Sequence, residues 1–268
     1  MTCLLLLSTL VNSINPPTSL YEITTRPYLY ILSQKLNKKC TIRDIPDQEF
    51  DEWKNKGFEW VWFMGVWELG ATSLKIARED PGCIQGYNEN CPGWTNEDVI
   101  GSPYSVVRYS INPEIGTLDD IKWLREQLRK RGMKLMLDFV PNHSAWEASE
   151  ITTNRNFYIY TNNLPVQDTS RFSQNGIAYG KEYESSAWTD VAQYNYFDKD
   201  FRLHQINTLK FIASIADGAR CDMAHCVINR IFAKCWENEL RSLGYSTPTT
   251  EFWTEATTAV KSQYPDFI

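Results

Sequence analysis

The apolar positions of this chain fall into short solid runs separated by helical stripes and polar turns. Glu59-Trp60-Val61-Trp62-Phe63-Met64-Gly65-Val66 is apolar on both faces, and so is the strand pattern from Met133 to Val140. Strands buried on both sides in a parallel sheet look like this. Tyr28-Leu29-Tyr30-Ile31-Leu32 reads as an earlier strand, and Ile215 to Asp222 as a later one. Between the runs the period changes to that of a helix. Pro46 to Lys56 follows Asp44 as cap and stops at Gly57. Thr117 to Arg131 sets Ile121, Leu124 and Leu128 on one stripe, with Thr117 as cap and Gly132 as stop. Phe201 to Ser214, Cys226 to Leu243 and Thr250 to Gln263 repeat the helical pattern, and Pro265-Asp266-Phe267-Ile268 opens a further strand. Strand and helix alternating in this way predict an α/β fold with a parallel sheet. The pattern holds four strand–helix units and the start of a fifth, where a closed barrel takes eight. The chain therefore reads as about half of such a domain.

Two stretches depart from the alternation. Trp67 to about Asn112 is rich in Gly, Pro and Asn and reads as a long loop, which inside a compact domain is usually functional. Ser144 to Tyr196 is polar, aromatic and turn-rich. The expected organisation is an N-terminal extension or signal peptide (1–20), a first barrel part (21–143), a small inserted subdomain (144–197) and a barrel continuation (198–268). The run from Leu4 to Val11 is too short to span a bilayer. It has the length of a signal-peptide core and a tolerable cleavage site at Val11-Asn12-Ser13, but no basic segment precedes it. If it is a signal the protein is secreted; otherwise it is cytoplasmic.

Composition narrows the function classes. The 268 residues carry a net charge of -6 with no basic run, which argues against nucleic acid as a partner. No apolar segment suggests a membrane span, and glycine-rich phosphate-binding motifs are absent. None of the seven cysteines stands in a C-x-x-C pair, which argues against a zinc site. Cys83 and Cys91 flank a turn-rich stretch and suit a disulfide in a secreted protein.

The chemistry concentrates in Asp217 to His225, D-G-A-R-C-D-M-A-H, at the end of the later strand. Arg220 and Asp222 are two apart, so an extended backbone puts both on one face. A guanidinium beside a carboxylate favours the ionised form. An ionised carboxylate at a strand end is what a retaining glycosidase uses as nucleophile; the same pair also suits a structural ion pair in a core. A second apolar strand runs into polar residues at Asp138-Phe139-Val140-Pro141-Asn142-His143. Functional groups at the C-terminal ends of two strands point to a parallel α/β barrel.

At these residues the chain resembles the α-amylase family of glycoside hydrolases, from about Tyr21 to Ile268. That family carries D-x-x-x-N-H after its third barrel strand and G-x-R-x-D on its fourth. Here Asp138, Asn142 and His143 match the first motif, and Gly218, Arg220 and Asp222 the second, in the same order. The resemblance implies a partial (β/α)8 barrel with a small domain inserted after strand three. It implies that Asp222 is the nucleophile and that Arg220 orients and ionises it. Tyr104, His143 and His225 fall at substrate-binding positions, with Asp138 placed there too but weighed more as a brace of the strand end. Asn142 is a calcium ligand in many members. Gln193 stands where the family's further motif has Asp, so calcium is a possible cofactor and no other is required. His204 is expected to be solvated. Glu255 tempts as the general acid, but Trp253, Ala256, Val260 and Tyr264 recur around it at helical spacing, which predicts a barrel helix. The implied activity is cleavage of α-glucosidic bonds in starch-like oligo- or polysaccharides by a monomeric enzyme. An α-glucan transglycosidase of the same fold and a non-catalytic carbohydrate-binding fragment are the alternatives.

Overall fold

Parallel pairing of four short strands organises the molecule. The structure, a computed structural model, describes residues 18–268; the signal-like run from Leu4 to Val11 lies outside them. β1 (Leu20–Thr24) passes straight into α1 (Thr25–Leu36), and α2 (Asp47–Asn55) precedes β2 (Trp60–Met64). β3 (Trp67–Leu69), α3 (Ala71–Glu79), α4 (Pro81–Asn90) and β4 (Val106–Ile111) follow. α5 (Leu118–Lys130) leads into β5 (Lys134–Phe139). β6 (His143–Ala145), α6 (Glu150–Thr153), β7 (Tyr179–Gly180) and β8 (Trp188–Gln193) come next. The chain then forms α7 (Lys199–Ile215), β9 (Gly218–Cys221), α8 (Asn229–Ser242) and α9 (Phe252–Lys261).

β1, β2, β5 and β9 form one parallel sheet in that order. β6, β8 and β7 make a separate antiparallel sheet between the third and fourth parallel strands. The fold is therefore α/β, an arc of a (β/α)8 barrel carrying an inserted sheet. The solid apolar runs explain the arc. Val61, Phe63, Leu135, Leu137 and Phe139 are fully buried, in one core with Phe50 and Trp53 of α2 and Ile121, Leu124 and Leu128 of α5. α5 starts at a reciprocal cap in which the Thr117 amide donates to Asp120 and the Asp120 amide to Thr117 Oγ1. Ile268 continues the sheet pattern: its amide donates to Asp217 and its carbonyl accepts from Ala219.

Three elements differ from the sequence expectation. Tyr28 to Leu32 is helix and not strand. Thr25, Leu29 and Leu32 are its buried positions, at spacings of four and three, while Tyr30 and Ile31 are exposed. A short apolar run does not distinguish the two periods. The first strand among the described residues is β1, where Ile23 is the one buried residue, so no run marks it. The stretch from Trp67 to Asn112 holds two helices and a strand pair. α4 has no buried residue and α3 only Ser73, so neither shows a stripe. Cys83 and Cys91 sit at opposite ends of α4 as free thiols, because a helix and not a loop separates them. Finally, Asp44 closes a cap with Thr41 on a 3-10 turn (Ile42–Asp44), and α2 begins after Pro46.

The glycine that opens the second motif has a steric reason. A Cβ on Gly218 would stand 2.8 Å from the Ile268 carbonyl oxygen and 2.9 Å from the Trp60 ring. Gly218→Ala should therefore destabilise the chain by about 1–3 kcal/mol through overpacking. Urea denaturation at unchanged slope measures this; a loss under about 0.3 kcal/mol would show that the neighbours yield freely.

Candidate active site

The C-terminal end of β5 is fastened by aromatic and main-chain donors. Asp138 is fully buried; its Oδ1 accepts from Trp62 Nε1 at 3.0 Å and its Oδ2 from the Gly65 amide at 2.8 Å. Gly65 has φ +72, a left-handed turn that glycine adopts without strain and that aims this amide back at β5. Trp67 Nε1 donates to the Asp138 carbonyl at 2.8 Å, and the Val140 amide to the Tyr109 hydroxyl at 2.8 Å. Burial pushes the Asp138 carboxyl up to about 7, against the Gly65 and Trp62 donors and the nearby Arg220 charge.

Parallel register sets Asp138 beside Arg220 on β9. Arg220 Nη1 donates to Asp222 Oδ1. The guanidinium lies between two rings, 5.1 Å from the centroid of Trp62 and 5.1 Å from that of Tyr104. Asp222 is 8% exposed, and its amide donates to the Phe139 carbonyl at 2.8 Å, which extends the β5–β9 ladder to the strand end. Met223 then takes φ 48, a left-handed conformation that costs a non-glycine residue about 1–2 kcal/mol. It breaks the strand and turns the chain into a 3-10 helix (Ala224–Val227). Backbone strain of this kind often sits next to functional groups.

His143 and Asn142 open β6 and face this end of the sheet. The His143 ring packs edge-on against Trp188, with centroids 5.7 Å apart. Burial holds its imidazole below the ordinary value, against the opposing pull of Asp222, Asp190 and the Tyr104 main chain. Asn142 is almost fully buried. Gln193 Nε2 donates to the Asn142 carbonyl at 2.9 Å, to Asn142 Oδ1 at 3.2 Å and to the Tyr194 carbonyl at 3.2 Å. Gln193 Oε1 accepts from the Lys181 amide at 3.0 Å. These main-chain partners leave the Gln193 amide one sensible orientation.

His225 lies on the 3-10 turn, with Nε2 2.7 Å from Glu182 Oε1. Glu255 stands apart. It is on α9, where Arg202 Nε of α7 donates to its Oε2 at 3.0 Å, in the helix layer. His204 is exposed on α7. The fold thus gathers Asp138, Arg220, Asp222, Tyr104, His143 and Asn142 at one end of the sheet and leaves Glu255 outside. Sequence reasoning missed Trp62, Gly65 and Gln193 as supports. Trp62 looked like one more apolar strand residue, and only its indole N–H hinted at a polar partner. Chemically, the arrangement presents one nearly dry carboxylate, ion-paired and placed just after a strand end, with a neutral imidazole and phenol beside it.

A family profile described as "Alpha amylase, catalytic domain" matches residues 102–268. Maltase A1 of Drosophila melanogaster is 30% identical over 104 residues, 36% of this chain and 17% of its own. Trehalose-6-phosphate hydrolase of Bacillus subtilis (strain 168) is 27% identical over 176 residues, 58% of this chain and 31% of its own. The crystal structure of an α-amylase from Lactobacillus plantarum superposes with a TM-score of 0.61 at 22% identity, over 93% of this chain and 44% of that one. At that identity the superposition speaks for the fold. This chain spans less than half the length of each of these proteins.

The buried Asp138 carboxyl makes a pH prediction. Between the ordinary carboxylate value near 4 and the raised one, the folded chain holds a proton that the unfolded chain has released. Its contribution to stability is therefore complete at low pH and is lost as pH rises through about 7. A carbon-13 titration of the Asp138 carboxyl, assigned by its loss in Asp138→Asn, should show a midpoint near 7. A midpoint near 4 would mean that the Trp62 and Gly65 donors outweigh burial.

Proposed function

The chain belongs to the α-amylase catalytic-domain family, and from that premise we propose that Asp222 is the nucleophile of a retaining glycosidase acting on α-glucosidic bonds. The observation that carries the reading is the Asp222 carboxylate, nearly dry, bonded to Arg220 and presented at the end of β9. In the proposed step, an Asp222 oxygen attacks the anomeric carbon while the bond to the leaving oxygen breaks. Water later releases the sugar and restores the carboxylate. Arg220 holds one oxygen of Asp222 and leaves the other to react. Tyr104 and His143 line the same end of the sheet and suit contacts to a sugar ring and its hydroxyls. Burial, with the Asp138 charge, pushes the Tyr104 phenol up to about 12, so it acts as a neutral donor. The proposed substrates are α-linked glucose oligo- and polysaccharides. The names of the relatives, a maltase and a trehalose-6-phosphate hydrolase among them, support α-glucosidic linkages in general.

A retaining mechanism also uses a second carboxyl about 5 Å from the first as acid. The bond from Arg202 to Glu255 in the helix layer supports leaving Glu255 out of that role. A fluoride leaving group needs no protonation, so labelling isolates the nucleophilic step. 5-Fluoro-α-D-glucosyl fluoride should modify the peptide that contains Asp222, detected by mass spectrometry, and Asp222→Asn should abolish the adduct. Labelling at another carboxylate, or equal labelling of the variant, would overturn the assignment.

The oxygens around Asn142 do not fit a calcium site. A cation on Asn142 Oδ1 would meet the Gln193 amide N–H2 group, which lies 3.2 Å from that oxygen and within hydrogen-bond distance of the Asn142 and Tyr194 carbonyls. We read Asn142 as held by this side chain. A calcium chelator should then cause no fall in melting midpoint that added calcium reverses, while Gln193→Ala, which strands buried acceptors, should cost about 2 kcal/mol. A fall in midpoint with the chelator, reversed by added calcium, would contradict this reading.

A further inference from the structure

Glu182, His225 and Cys226 meet beside the Asp222 strand end. Glu182 lies between β7 and β8, whereas His225 and Cys226 belong to the 3-10 turn after Met223. One ligand atom from each lies within 4.8 Å of the others. His225 Nε2 is the shared vertex, 2.7 Å from Glu182 Oε1 and 3.6 Å from Cys226 Sγ. We propose that these three side chains bind a zinc-class divalent cation, with a fourth coordination position left to solvent.

The donor set argues for that class. An imidazole nitrogen, a thiolate and one carboxylate oxygen suit zinc or cobalt, whereas calcium and magnesium take oxygen ligands. Spacing argues the same way. Tetrahedral zinc, with bonds of about 2.0–2.3 Å, sets neighbouring ligand atoms roughly 3.3–3.6 Å apart. The imidazole–thiol distance of 3.6 Å already has that value. The imidazole–carboxylate contact must open slightly from 2.7 Å, and both of those side chains are more than a third exposed and free to adjust. The bland alternative is a surface Glu–His pair above a packed cysteine. Such a pair has no use for a thiol, yet the otherwise buried Cys226 turns its sulfur to the same nitrogen. The ordinary zinc signature, two cysteines with two residues between them, is absent because the fold and not local spacing brings the ligands together. On binding, the Cys226 thiol gives its proton to solvent as the metal–sulfur bond forms, and nothing is oxidised or reduced. The proposal does not depend on the reaction assigned to Asp222.

The test uses the whole 268-residue chain, freed of metal by a chelator and titrated with Zn2+ by calorimetry and with Co2+ by absorbance. The expected results are saturable Zn2+ binding and a near-ultraviolet thiolate-to-cobalt band. Cys226→Ser should erase the band, and Glu182→Gln should weaken Zn2+ binding by about 10-fold or more. Glu182→Gln changes an exposed side chain and keeps the size of the group, so it tests the site even if Cys226→Ser perturbs folding. Cys83→Ser should change neither readout. The proposal fails if the wild-type chain does not bind Zn2+, if the cobalt band survives in folded Cys226→Ser, or if Glu182→Gln binds as tightly as wild type.

Discussion

The half-buried charge of Arg220 is the constraint on which the site depends. A guanidinium taken partly out of water needs anionic or π-rich partners on every side. Asp222 supplies the anion two residues along the same strand. Trp62 and Tyr104 supply aromatic faces from β2 and from the segment before β4. Each such cation–π contact contributes about 0.5–2 kcal/mol, more where water is excluded. Three separate parts of the chain must therefore arrive at one place before Arg220 is satisfied. Once they do, the guanidinium holds Asp222 at the end of β9.

Two carboxyls on neighbouring strands take different parts because their surroundings differ. Asp138 is enclosed and bonded to an indole and to a glycine amide, so it locks β2 to β5. Asp222 touches the guanidinium directly and sits where the ladder ends. The left-handed residue that follows, Met223, stops the strand from burying it further. A brace and the carboxylate we propose as nucleophile are thus built from the same residue type within one sheet.

The inserted sheet contributes side chains to the same end of the barrel arc. Through β6 it brings His143 and Asn142, and through β8 it brings Trp188 and Gln193. Gln193 turns a cluster of carbonyl oxygens that would otherwise repel one another into a bonded unit. Glu182 comes from the turn of the same sheet, which is why the cation site we propose joins the insert to the strand end.

Much of this was already determined by the sequence alone. The solid runs of β2 and β5, the capped stripe of α5 and the helical period around Glu255 are local patterns, and local sterics and burial enforce them. The same holds for Arg220 and Asp222, since residues two apart on a strand share a face whatever surrounds them. Tertiary structure alone decided what distant segments do to one another. Tyr28 to Leu32 became helix because its neighbours bury Leu29 and Leu32 and leave Ile31 in water. Trp62 acquired a polar role only because Asp138, on another strand, faced it. Gln193 and Asn142 are far apart in the chain, as are Glu182 and His225, and no spacing rule links them. Their meeting follows from how the insert docks on the sheet, a matter of shape and burial that periodicity does not encode.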